Sequence, residues 1–213
     1  MDLALVSADG SMLQHCSDVQ ARGQAEHLLP ALGRLLASAG INSEDIEKIL
    51  VANGPGNFTG IRIGLSIAKG LGLGYACPVY GVSLFEQLIA AANRTGLLEQ
   101  LGAGAAMTCI IPGRAGYGFA QRWQGGMFDG APWSDELLAL IRSAGADAHC
   151  LMPAGLSNQH EGCLTVALQV TDLFAAVDTT PPDLWAERFL AEPIYIRDAA
   201  AIPANPLFSV AGR

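Results

Sequence analysis

Lysine is nearly missing from this chain: of twelve basic residues only Lys48 and Lys69 are lysines, and twenty acids leave a net charge of −8. That balance excludes a basic face able to hold a nucleic-acid backbone directly. Long hydrophobic runs are also lacking. Arg62 and Lys69 interrupt the longest one short of the roughly 18 apolar residues that a membrane span requires. Nothing ahead of Leu3 has the makeup of a secretory signal. The five cysteines, Cys16, Cys77, Cys109, Cys150 and Cys163, are odd in number, widely spaced and without a C-x-x-C pair, so reduced thiols and a cytoplasmic setting are expected.

Familiar catalytic signatures are scarce too. No G-x-S-x-G elbow occurs, which removes the commonest serine-hydrolase reading. The four histidines, His15, His27, His149 and His160, include two next to cysteines and a His160-x-x-Cys163 spacing, but adjacent residues on a strand point to opposite faces. No zinc-ligand spacing results, and no metal site is expected. Internal repeats and low-complexity segments are absent.

What is present is a 213-residue, 51% hydrophobic sequence, enough for a substantial core in one large or two small domains. Its central stretch runs from Val51 to Ala76. Ile49, Leu50 and Val51 form a short apolar run of buried-strand type, Gly54, Pro55 and Gly56 force a turn, and Asn57 or Thr59 can cap the helix that follows. That helix carries Gly60, Gly64, Gly70, Gly72 and Gly74, and each interior glycine costs roughly 1 kcal/mol against alanine. Close packing has to return that loss. Gly60, Gly64, Ala68 and Gly72 recur every fourth residue as a smooth stripe, while Arg62, Ser66 and Lys69 make a narrow polar line. A helix so apolar is covered on two sides: by the protein's own sheet, and by either a second helix of the same protein or another protein.

Before this stretch, Leu3 to Ser7 and Met12 to Cys16 read as a hairpin around Asp9-Gly10, Gln24 to Ala39 as an amphipathic helix stopped by Gly40, and Asn42 to Ile46 as a capped short turn. After it, Pro78 to Val82 reads as a strand, and Ser83 with Glu86 as a capping box opening a helix to about Arg94. Alternating strands and helices imply parallel pairing and an α/β fold. Beyond Gly96 a second, smaller lobe is expected, dividing the sequence into residues 1–96 and 97–213. It begins with strands at Ala105 to Ile111 and Gly118 to Trp123. Ser134 is expected to cap a helix with Asp135 and Glu136 in its first turn and Leu137, Leu138 and Ile141 inward. His149 to Met152 reads as a strand, Leu164 to Val170 as strand or helix entry, and Pro181-Pro182 opens a short helix from Asp183 to Leu190.

The loop before the central helix invites a phosphate-site reading, because helix N-termini attract anions. Its spacing, Gly54-x-Gly56-x-x-x-Gly60 followed by Ile61 and Arg62, matches neither the Walker loop nor the dinucleotide fingerprint. Ser66-Ile67-Ala68-Lys69 has the S-x-x-K spacing of penicillin-recognising hydrolases without their S-D-N and K-T-G elements, and a solvated polar line explains both residues. Arg62 stands in the first turn, where a cation opposes the helix dipole. Its presence suggests an acidic partner group, in this chain or another, with plain solvent exposure as the alternative account.

The run GPGNFTGIRIGLSIAKGLGLG with the following PVYGVSLFEQLIAAA closely resembles the signature of the bacterial TsaB (YeaZ) family. RGQAEHLLPALGRLLASAG before it, Ile111 and Arg114 near the middle and EPIYIR from Glu192 extend the resemblance. It implies a degenerate actin/Hsp70-like (ASKHA) two-lobe α/β fold. It also implies a non-catalytic scaffold that binds the catalytic subunit TsaD, with the ATPase TsaE, in making threonylcarbamoyladenosine in tRNA, so that tRNA is met only indirectly. No cofactor and no catalytic residue are implied. The implied interface with TsaD or with a second copy comprises Gly60, Arg62, Gly64, Ala68 and Lys69 together with Gln24, Leu28 and Leu32 of the preceding helix, and Gly54, Pro55 and Gly56 form the loop that releases the central helix from the sheet.

Several departures from the family pattern bear on this. The usual first strand bearing an Asp-Thr pair is missing ahead of the hairpin, so either the sheet lacks a central member or the start at Met1 is drawn late. Gln24 replaces a usual histidine, and the family's central D-A-R-x-x-E pattern here reads Pro112 to Tyr117, without its carboxylates. These losses weigh against the enzymatic alternative, an independent glycoprotease-type metallo-hydrolase, for which Gln24 and His27 stand where H-x-x-x-H is needed. A self-associating homodimer without a tRNA role is the third reading.

Overall fold

A computed structural model describes residues 2–17, 24–102, 104–155 and 162–196. The protein opens with an antiparallel hairpin, β1 (Asp2–Val6) and β2 (Met12–Ser17). Its turn is held by Asp9, whose carboxylate accepts from the Ser7 hydroxyl and, at 2.9 Å, from the Ser11 amide, while Gly10 takes the left-handed φ of 87° that a side chain resists. Helix α1 (Gln24–Ala39) lays Leu35 and Leu36 on Leu5 of the hairpin. Pro30 lies inside α1, where it removes one helical hydrogen bond.

The expected capped turn at Ser43–Asp45 leads into β3 (Ile49–Gly54), then α2 (Phe58–Tyr75), β4 (Val79–Ser83) and α3 (Leu84–Arg94). Strands β3 and β4 are parallel, as a crossover helix requires. The capping box forms as read: the Glu86 amide donates to the Ser83 hydroxyl at 3.0 Å, and the Ser83 amide donates to the Glu86 carboxylate at 2.9 Å. Among the described residues the hairpin and the β3–β4 pair are separate two-stranded sheets. Because Ile49 donates to Pro78 of the neighbouring segment, alternation along the parallel ladder turns the amides of Leu50 and Ala52 to the unpaired edge of β3.

A short helix α4 (Leu97–Leu101) precedes a five-stranded sheet of order β7-β6-β5-β8-β9. Its members are β5 (Ala106–Pro112), β6 (Tyr117–Gln124), β7 (Met127–Glu136), β8 (His149–Pro153) and β9 (Cys163–Val166), with α5 (Leu137–Asp147) crossing from β7 to β8. Here two expectations fail. Ser134, Asp135 and Glu136 are still strand, paired with Phe119, Gly118 and Tyr117, and α5 starts one residue later. Leu137 and Ile141 do face inward, but Leu138 is exposed. Sheet pairing across β6 and β7 outweighs the local cap signal.

The last described segment returns to the first. Helix α6 (Asp172–Asp178) and the short α7 (Trp185–Arg188) put Leu173, Val177, Trp185 and Phe189 on Leu50, Ala52, Tyr80 and Val82. Asp172, fully buried, accepts from Arg94 of α3 at 2.8 Å and from the Gln169 amide at 2.7 Å, and Arg94 also donates to the Ala167 carbonyl. The hydrogen bond from Arg94 to the Asp172 carboxylate raises the arginine pKa. This pair ties the return segment to α3.

Candidate functional site

Helix α2 shows how its glycines are used. Leu65, Ala68 and Gly72 are buried. A Cβ on Gly72 would collide with Val79 of β4 and come within 3.0 Å of the Cys77 carbonyl, and one on Gly64 would meet Val51 of β3 at 3.8 Å. The lower part of the glycine stripe therefore lies against the protein's own sheet. Ala68, expected at a partner interface, is buried within this chain. Gly60 and Gly64 are half-buried, and Gly60 has only the side chain of Asn57 nearby.

The outward face is made of other residues: Phe58, Arg62, Ser66, Lys69, Gly70, Leu73 and Gly74 are exposed. Gly70 and Gly74 have nothing within 4 Å of an added Cβ, and Leu73 is 87% exposed. Beside Leu73 a shallow depression of about 310 Å³ is lined by Lys69, Gly72, Leu73, Cys77 and Val79. Burial raises the pKa of the Cys77 thiol, which keeps it protonated. On α1, Leu28 and Leu32 are half-buried and Leu32 packs with the hairpin cluster, whereas Leu29 is the exposed leucine. The side chain of Gln24 lies outside the described residues.

Arg62 is seated on aromatic rings instead of an acid. Its guanidinium carbon stands 3.6 Å from the centroid of Phe58, one turn earlier, and its Nε donates to the Tyr195 hydroxyl at 2.8 Å. The rings of Phe58 and Tyr195 are 5.7 Å apart. Tyr195 lies 133 residues further on, so no local pattern points to it. The same return segment hydrogen-bonds β3 through the Ile194 amide and the Asn53 carbonyl at 2.9 Å. The loop of Gly54, Pro55 and Gly56 thus runs beneath it, with Gly54 at a φ of 113° that favours glycine and an added Cβ only 3.1 Å from Ile61. Asn57 caps α2, its side chain accepting from Thr59 at 3.3 Å.

At the ends of β3 and β4 an open cleft of about 630 Å³ includes Asn53, Ser83, Glu86, Gln121, Arg188 and Glu192. Asn53 donates to the Leu190 carbonyl at 3.2 Å, and its side-chain oxygen is buried without a hydrogen-bond partner. Among the described residues no three His, Cys, Asp or Glu side chains come together as a metal-binding set, and no helix is long and apolar enough to cross a membrane.

The family described as "TsaD: tRNA N6-adenosine threonylcarbamoyltransferase" matches residues 18–112. The tRNA threonylcarbamoyladenosine biosynthesis protein TsaB of Escherichia coli is 39% identical over 75 residues, which are 35% of this chain and 32% of that protein. TsaB of Bacillus subtilis is 32% identical over 90 residues, 42% of this chain and 39% of that one. The matched segments thus span about a third of the length of these curated relatives. In structure, YeaZ from Pseudomonas aeruginosa superposes with a TM-score of 0.67 over 92% of this chain and 93% of its own, at 23% identity. The α/β fold of the two is the same.

Proposed function

Taking as premise a protein of the TsaB (YeaZ) kind, by its fold and by the sequence of its first half, we propose that it is a non-catalytic scaffold in the threonylcarbamoylation of adenosine in tRNA. It binds a TsaD-like catalytic subunit, with a TsaE-like ATPase as a further member of the system, and meets tRNA only through that assembly. Of the two lobes expected at 1–96 and 97–213, the first is completed by the return of α6 and α7 onto β3 and β4, and the second centres on the five-stranded sheet with α5. The observation that carries this reading is the outward face of α2, where Leu73 stands 87% exposed between the bare Gly70 and Gly74. Glycines that no neighbour requires leave the backbone open to close approach by a second helix. Arg62, held on Phe58 and Tyr195, shapes the other end of that face.

The test is reconstitution. A TsaD-like subunit and a TsaE-like ATPase, supplied with tRNA and the threonylcarbamoyl donor, are expected to modify tRNA only when this protein is added. The protein alone is expected to give no tRNA modification, ATP turnover or peptide cleavage. Turnover of ATP or peptide by the protein alone overturns the scaffold reading in favour of the hydrolase.

A further inference from the structure

Cys150 of β8 and Cys163 of β9 are direct partners in the parallel ladder, so their side chains leave the sheet on the same face. Their sulfurs are 2.7 Å apart, with both thiols free. Cross-strand neighbours in register have the Cα spacing that a disulfide spans. The surroundings differ in a useful way: Cys150 is buried under α5 with Ile110, Leu140 and Ala144, whereas Cys163 is only half-buried at the edge strand of the sheet. Cys109 is the nearest competitor on β5. It pairs in register with Leu151 and faces the opposite cluster, with Phe85 and Leu88, so it cannot reach either sulfur.

We propose that Cys150 and Cys163 are a reversible disulfide site, closed by thiol–disulfide exchange with a low-molecular-weight disulfide. The half-buried Cys163, as thiolate, attacks one sulfur of R–S–S–R, breaking that bond and releasing R–S⁻, which takes up a proton. The product is the mixed disulfide Cys163–S–S–R. Cys150 then gives up its proton and attacks the Cys163 sulfur, expelling the second R–S⁻. One external disulfide is reduced to two thiols, and two protein thiols are oxidised to one disulfide. Burial holds the Cys150 proton tightly, which makes it the resolving thiol and not the first to react. Closure staples the edge strand β9 to β8.

The full-length protein, incubated with oxidised glutathione, alkylated in denaturant and cleaved after glutamate, tests this. Glu161 separates the two cysteines, so a Cys150–Cys163 link joins two fragments that dithiothreitol releases. The expected result is loss of two alkylatable thiols of five, that one linked pair, and a melting temperature several degrees above the reduced form. In Cys163→Ser, Cys150 is expected to stay fully alkylatable and the melting shift to vanish, while Cys109→Ser closes the link as the wild type does. A glutathione adduct that persists on Cys163 without closure, or a link through Cys16, Cys77 or Cys109, overturns the proposal. Because wild-type mapping decides the matter, a poorly folding variant does not protect it.

Discussion

Asp9 shows how much one residue in a turn can do. Hydrogen bonds from the Ser7 hydroxyl and the Ser11 amide and hydroxyl hold its carboxyl at about 2 against an ordinary 3.8. A depressed carboxyl contributes stability that is present above its ordinary value and lost as pH falls through the folded one, so the turn should weaken between about 4 and 2. Carbon-13 titration of the Asp9 carboxyl should give a midpoint near 2, and a midpoint near 4 would show that the turn contacts do not persist in solution. The Arg94 and Asp172 pair behaves differently because it is buried at one end. Asp172→Ala leaves Arg94 unpaired and frees the Gln169 amide, and since Arg94 keeps 34% of its side chain in water the cost should be at the low end for broken buried pairs, about 3 kcal/mol by urea denaturation. Residue-scale features of the turn were legible because Asp9-Gly10 acts locally. The seat of Arg62 was not, since Tyr195 is 133 residues away and a tyrosine leaves no charge pattern to match.

At the scale of the element, α2 divides its glycines by role, and mutation separates them. Gly72→Ala drives a Cβ into Val79 and should destabilise by about 1–3 kcal/mol, as overpacking does. Gly70→Ala, with nothing within 4 Å, should stabilise by up to about 1 kcal/mol through helix propensity alone. Paired thermal melts check the sign of both, and two changes of the same sign would refute the assignment of faces. Periodicity identified the stripe but not what covers it, because a fourfold repeat of small residues looks the same against a sheet as against a partner. Helix α3 was fully legible, its capping box lying within four residues of Ser83. Strand β7 was not: Ser134, Asp135 and Glu136 read locally as a helix start, and only pairing with β6 keeps them extended.

For the whole molecule, the α/β alternation of the first ninety-odd residues foretold β3, α2, β4 and α3 in order. The five-stranded sheet that follows and the return of α6 and α7 onto β3 and β4 rest on long-range pairing that no local pattern carries. The return segment is what fixes the first turn of α2, through Tyr195 and Ile194, and so leaves the opposite end, at Leu73, as the open face. A calorimetric titration of this protein into a purified TsaD-like subunit tests that claim most directly. Saturable binding by the wild type should weaken at least tenfold in Leu73→Glu, a loss of about 1.4 kcal/mol or more, with the melting temperature of the free protein unchanged. Equal affinities for the two proteins would contradict docking through the outward face of α2.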